Sequence, residues 1–305
     1  MIKRTLYFEN PAILTTKEDQ LVITLVKDPE IPDQVKSKTI PIEDIGVIVF
    51  DNKQITFTHA LLNKLIENNA AVITCDDHHM PSSLFMPLSG NTIQGERFAE
   101  QLNVSVPLQK QLWQQTMQAK ILNQAWLLNK AGFETEYMKQ CARNVKSDDL
   151  ENHEARAAAY YWYRIFSKFL DDFKRGREEA EPNNLLNYGY AILRAVVARS
   201  LVATGLIPTL GIHHRNRYNA YCLADDIMEP YRPFVDEIVY DIIAGKPGNF
   251  ELDPGMKKRL LTIPVIDVMI DGQKSPLMIA MQRTASSLFF CFSGEKRKLL
   301  YPTFD

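Results

Sequence analysis

The chain has 305 residues, 46% of them hydrophobic and 24% charged, with a formal net charge of −2, the balance of an ordinary soluble globular protein with one large domain or two. No run approaches the ~20 uncharged apolar residues of a membrane-spanning helix. The start, Met1-Ile2-Lys3-Arg4-Thr5-Leu6, lacks the apolar core of a signal peptide, so a cytoplasmic protein with no membrane partner is expected. Four cysteines, Cys75, Cys141, Cys222 and Cys291, show no CxxC spacing and predict thiols in a reducing compartment, not a disulfide frame or zinc cluster.

In chain order, residues 4–8, 12–16, 20–26 and 39–41 are short β-branched runs broken by Asn-Pro, Glu-Asp and Pro-Asp turns, which predicts strands. Residues 45–50 are almost wholly apolar and predict a buried strand. Over 58–69, Leu61, Leu62, Leu65 and Ile66 share one helical face, and 70–75 is a second buried strand. A Pro/Gly/Ser/Asn-rich linker occupies 86–93, and the pattern then turns helical. Pro107 suits the first turn of a helix to about Ala131. Ser147, with Asp148 and Asp149 at the positive end, predicts the cap of a second long helix to about Phe173. A charged connector, 174–182, leads to a third helix, 184–204, closed by Gly205. Shorter helices are expected near Pro233, from Pro254 (capped by Asp253) to about Leu261, and over 275–290. The fold class is thus α+β, a β-rich N-terminal domain (1–92) followed by a larger all-α domain (93–305).

Three segments carry candidate chemistry. Glu154 falls on the stripe Leu150, Glu154, Ala157, Ala158, Tyr161 and Ile165. A carboxylate there needs a partner: either a salt bridge to a neighbouring helix or a metal ion. In Gly211-Ile212-His213-His214 the histidines sit on a connection after a Pro208 turn; each is a capping or surface group, or a metal ligand. In Asp225-Asp226-Ile227-Met228-Glu229-Pro230, Asp226 and Glu229 are three apart on one helical face, and Pro230 predicts a helix end at Glu229. That cluster is satisfied by a helix dipole or by a divalent cation. Carboxylates with one His suit Mg²⁺ or Mn²⁺ better than zinc and can support phosphoryl transfer. His153-Glu154-Ala155-Arg156-Ala157 lacks the second His of HExxH, and no His-Asp dipeptide occurs, which removes a zinc peptidase and the core of a His-Asp phosphohydrolase. Cys75-Asp76-Asp77-His78-His79 reads as a polar turn. Basic residues cluster at Lys174-Arg175-Gly176-Arg177, Arg215-Asn216-Arg217, Lys257-Lys258-Arg259 and Lys296-Arg297-Lys298. Such patches set phosphate affinity locally whatever the net charge, although a basic triplet is also the composition of a solvated face.

Together these segments resemble the CRISPR-associated integrase family, the large subunit of the spacer-acquisition complex. Glu154-Ala155-Arg156 with Tyr161-Trp162 is similar to its glutamate motif, and the segment from Asn184 to Arg194 to its central helix. The segment from Gly205 to His214 resembles its histidine motif, with His214 at the matching position, and Leu223 to Pro233 its acidic motif. The ordered likeness spans most of residues 1–300, including Arg4-Thr5-Leu6-Tyr7-Phe8. The His-His and Ala-Asp-Asp segments are most similar to those of type II systems, which have a single large RNA-guided effector. Two departures stand out: Glu229 where many relatives have Asp, and Ala155 where Gly is usual. The first leaves open whether Asp226 shares the metal. The resemblance implies a homodimer formed through the β-rich domain, a helical catalytic domain and a small ferredoxin-like adaptation subunit as partner. It implies DNA substrates, the spacer precursor and the CRISPR repeat and leader. A 3′-hydroxyl of the incoming DNA would attack a phosphodiester at the repeat boundary, with Glu154, His214 and Glu229 as the catalytic, metal-holding residues and Mg²⁺ or Mn²⁺ as the cofactor. The rival readings are a stand-alone structure-specific nuclease on the same site and a non-catalytic DNA-binding scaffold; a scaffold needs no complete metal site.

Overall fold

A computed structural model describes residues 3–25, 37–147, 151–176, 181–245, 248 and 250–305. Val26, Pro32 and Asp33, Asp148 and Asp149, Leu150 and Arg177, all used above, lie outside the described residues. Contacts divide the chain into two units, Met1–Gly90 and Asn91–Asp305.

The first unit holds β1 (Arg4–Phe8), β2 (Ala12–Lys17), β3 (Gln20–Leu25), β4 (Ser37–Pro41), β5 (Ile45–Phe50), β6 (Thr56–Phe57), α1 (His59–Glu67), β7 (Ala71–Cys75) and β8 (Pro81–Phe85). One sheet runs β1-β5-β7-β8, the other β4-β3-β2-β6. All six residues of β5 are buried, as befits a strand with parallel neighbours on both sides and both faces covered. Parallel neighbours need a crossover, and α1 supplies it between β5 and β7. Thr58 caps α1 by accepting from Leu61 N. In β2, Ala12 and Leu14 point in and Ile13 out, and Leu14, Leu21, Ile48, Leu61, Leu65 and Val72 join one core. Neither β6 nor β8 was expected: β6 has two residues, and Pro81-Ser82-Ser83 hides β8. The Cys75-to-His79 segment is a polar turn, in which Asp76 accepts from the backbone of His78 and Met80.

The second unit holds α2 (Gln94–Leu102), α3 (Val106–Lys130), α4 (Glu136–Asn144), α5 (His153–Ile165), α6 (Asn183–Ala203), α7 (Cys222–Met228), α8 (Arg232–Gly245), α9 (Pro254–Leu260), the strands β9 (Asp267–Ile270) and β10 (Gln273–Pro276), and α10 (Leu277–Phe292). α6 ends as a helix closed by a left-handed residue should. Gly205 takes φ +79°, its N–H reaches Val202 O, and the Leu206 N–H reaches Leu201 O. Asp253 caps α9 through Met256 N, with Pro254 in the first turn. α5 starts at His153, after Asn152 in a left-handed conformation, and not near Ser147. It ends at Ile165, where Phe166 leaves helical dihedrals (φ −108°, ψ 1°), and Phe173 folds back to pack edge-on against Phe166, 4.9 Å between ring centroids; a helix running on to Phe173 would carry that ring about 10 Å away. The expected long helix is therefore shorter at both ends. The sequence reading also left out a hairpin, β9–β10, closed by Asp271-Gly272 with both residues at positive φ. No helix among the described residues is long and apolar enough to cross a membrane.

Candidate active site

The site lies in the second unit. α3 lines it with Trp113 and Lys120, seven residues apart and therefore on one face. α5 brings Glu154 in its first turn, where the helix dipole favours an acid. The connection from α6 to α7 brings His213 and His214. α7 and the 3₁₀ turn Glu229–Tyr231 bring Asp225, Asp226 and Glu229. Glu229 stands at the helix end as Pro230 predicts, although its backbone keeps α dihedrals (φ −52°, ψ −47°).

Asp226 is wholly buried. Its carboxylate accepts from His213 N (2.9 Å) and His214 N (3.3 and 3.4 Å) and meets His214 Nδ1 at 2.5 Å. These bonds wrap the 211–214 loop around one acid. Gly211 permits it, since a Cβ there would lie 2.4 Å from His214 O and 2.7 Å from Asp226 Oδ2. Asp226 thus orients His214 through Nδ1 and leaves Nε2 to face elsewhere, the arrangement that fixes a ligating imidazole. The bond to Asp226 holds His214 above the ordinary imidazole range. His213 instead lies flat on Trp113, with ring centroids 4.1 Å apart and planes 2° apart. Burial, and then the neighbouring charge of His214, pull it down. Asp225 is tied to Arg194 Nε (2.6 Å) and Asn219 Nδ2 (2.7 Å).

Glu154 and Glu229 meet through a cation. Lys120 Nζ lies 3.2 Å from Glu154 Oε1 and 2.7 Å from Glu229 Oε2. Arg232 Nε lies 2.9 Å from Glu229 Oε1. Burial would raise the Glu229 carboxyl, but Arg232 and Lys120 outweigh it and hold the group at about 2. Burial likewise works against the charge on Lys120, and Glu229 and Glu154 more than offset it. The contact between Lys120 Nζ and Glu229 Oε2 is a close ion pair. His214 is close enough to Glu229 for each to feel the other's charge.

Of the three residues expected at the site, the structure therefore joins Glu154 and Glu229 through one ammonium and sets His214 beside them on Asp226. Among the described residues, no three His, Cys, Asp or Glu side chains form a ready cage for a metal, and Lys120 accounts for this by standing between the two acids. The donor set still suits a hard divalent ion: two carboxylates already sharing a cation, and an imidazole nitrogen oriented by a buried acid. Sequence reasoning missed Trp113, Lys120 and Arg232. Only Arg232 left a signal, three residues after Glu229. A cleft of about 290 Å³ opens beside His214, lined by Gln101, Gln109, Arg215, Asn216 and Arg217 among others.

Residues 6–261 match the family model described as CRISPR associated protein Cas1. The chain is 36% identical over 289 residues to the CRISPR-associated endonuclease Cas1 of Neisseria meningitidis serogroup C, covering 94% of this chain and 91% of that one. Among solved structures, a casposase bound to integration product superposes with a TM-score of 0.77 at 18% identity, over 98% of this chain and 92% of that one. A Cas6-RT-Cas1–Cas2 complex gives 0.70 at 21% identity, over 97% of this chain and 35% of that one. The structural likenesses speak to the fold.

Proposed function

Because the chain belongs to the CRISPR-associated Cas1 family, we propose that it is the metal-dependent DNA integrase and endonuclease of CRISPR adaptation, inserting foreign DNA into the repeat array. The observation that carries this reading is the sharing of one cation by Glu154 and Glu229, with His214 oriented beside them by Asp226. A bound Mg²⁺ or Mn²⁺ would supply charge stabilisation at the reacting phosphate. Glu154, His214 and Glu229 would hold it. Asp226 would fix the His214 ring, and Lys120 and Arg232 would balance the acids.

The reaction is transesterification. The 3′-hydroxyl of the incoming strand gives up its proton as its oxygen bonds to phosphorus, the bond from phosphorus to the 3′-oxygen of the target strand breaks, and the released oxygen takes up a proton. Support for DNA and a second subunit comes from structural neighbours: one is a casposase bound to integration product, and another is a Cas6-RT-Cas1–Cas2 complex. We assign residues 93–305 to catalysis and residues 1–92 to homodimer formation, with a ferredoxin-like adaptation subunit as partner, in a type II system of the cytoplasm. The name endonuclease on the Neisseria relative favours a second reading, a stand-alone nuclease on branched DNA with water as nucleophile.

One experiment separates the two. Purified protein is incubated with branched DNA, and separately with a 3′-hydroxyl donor and a supercoiled target. Joining is expected, with loss of at least about a hundredfold in Glu154→Gln, His214→Ala and Glu229→Gln at unchanged fold. Cutting without joining would support the nuclease, and full joining by any one variant would remove that residue from the mechanism.

A further inference from the structure

Two carboxylates from different elements drawn to a single point repel each other unless a cation lies between them. In this protein the cation is a side chain. Lys120 is largely buried, 13% exposed, and touches Glu154 on one side and Glu229 on the other. Arg232 offsets part of the charge of Glu229, but of these two cations only Lys120 is paired with both acids. One ammonium supplies a single positive charge where two negative charges converge. The contact therefore positions the acids, yet a dication with two or more oxygen ligands gains more from the same pair.

We propose that Lys120 is a positioning residue, an internal counter-ion that holds Glu154 and Glu229 at the spacing of one shared cation and yields that place to an entering divalent ion. This rests on the reading of Glu154 and Glu229 as metal-holding residues. It has two consequences. Without metal, Lys120 keeps the site assembled, because breaking a buried ion pair from one side leaves an uncompensated charge. With metal, the ion must displace an ammonium, so its affinity is lower than the acids alone would give.

The test uses the full chain and reads Mn²⁺ binding by calorimetry and melting temperature with and without Mn²⁺. The variants are Lys120→Met, Lys120→Gln, Lys120→Arg and Glu154→Gln. Both neutral variants are expected to melt lower than wild type without metal. They should bind Mn²⁺ at least about tenfold more tightly, since a competing charge a few ångströms away has been removed, and show a larger Mn²⁺-induced rise in Tm. Lys120→Arg keeps the charge and should keep the weaker wild-type affinity. A lysine of purely structural role would lower Tm equally with and without Mn²⁺ and leave Kd unchanged; that result overturns the proposal. Glu154→Gln separates the two levels of the argument. If it removes Mn²⁺ binding while Lys120→Gln binds as wild type does, only the role of Lys120 falls. If Mn²⁺ binding ignores Glu154→Gln, the metal site and the counter-ion fall together.

Discussion

His213 and His214 are adjacent in sequence but have opposite surroundings. His214 Nδ1 is held at 2.5 Å by a buried carboxylate that also binds both backbone N–H groups of the pair. His213 is laid flat against Trp113, a contact that uses the face of the ring and not its nitrogens. Chemistry that needs an oriented imidazole nitrogen therefore falls to His214. We expect His214→Ala to lose DNA joining and His213→Ala to keep most of it, both compared at matched melting temperature in a strand-joining assay. A dead His213→Ala beside an active His214→Ala would mean that the stacked ring, not the one on Asp226, does the work. At this scale the segments around Glu154, the histidine pair and Asp225 to Glu229 stood out as candidate cation binders, but their spacing left each reading open, and it was the family resemblance that singled out Glu154, His214 and Glu229. Asp226 left open whether it shares the metal, and the structure commits its carboxylate to the histidine loop. Lys120 was illegible: its partners lie 34 and 109 positions further along the chain, from the difference in residue numbers, and no local pattern on α3 marks it.

Where α5, α6 and α8 meet, the packing is polar at its centre. Asp236 of α8 is wholly buried. Tyr161 of α5 donates to it at 2.7 Å, and Tyr190 of α6 donates to its other oxygen. Burial pushes the Asp236 carboxyl up to about 6, against the pull of the two hydroxyls. The same burial, with the charge of Asp236, raises both tyrosines well above their usual range. The sign of the pH effect follows. A carboxyl that titrates at about 6 when folded and near 3.9 when unfolded favours the folded state fully below the lower value. It loses that advantage as pH rises through the upper one. Asp236→Asn mimics the protonated acid, so its melting temperature should gain on wild type as pH rises from about 4 to about 6.5. A difference that stays flat across this window would show that the buried acid does not titrate there. Tyr161 was readable in advance as a member of the apolar stripe of α5, and α6 as a long helix closed by glycine. The acid that joins them was not, because Asp236 is one more charged residue in a helix until two tyrosines from other helices reach it. The β9–β10 hairpin was present in the sequence as Asp271-Gly272, the turn pair that places both residues at positive φ, in the gap between the helices expected to end near Leu261 and to begin at 275.

For the molecule as a whole, a net charge of −2 has to be reconciled with a polyanionic substrate on the reading proposed above. The structure sorts the basic clusters. Lys257 is 7% exposed and so does not present its ammonium to DNA, whereas Lys258 and Arg259 are exposed. Arg175 is engaged by Asn183 and Asn187 (2.8 and 2.9 Å), which makes it part of the helix connection. Lys296, Arg297 and Lys298 are all exposed, and their backbone is pinned to α3. Gln115 donates to Arg297 O at 3.0 Å and accepts from Leu299 N at 2.9 Å. Three charges on a fixed backbone neutralise phosphates with less ordering entropy than three on a loose one. Removing one charge that neutralises a phosphate should reduce the salt slope of duplex binding by about 0.9. Replacing Lys296, Arg297 and Lys298 together by Ala should therefore flatten the plot of log affinity against log salt by up to about three such steps, with little change in melting temperature. Lys257→Ala should do the reverse, lowering the melting temperature and leaving the slope alone, because its charge is buried. Both are read by titrating labelled duplex DNA at several salt concentrations alongside thermal unfolding. An unchanged slope in the triple variant would move the DNA path away from the C-terminal segment. The exposed pair Arg215 and Arg217, which flank the cleft beside His214, would then be the cations to replace next.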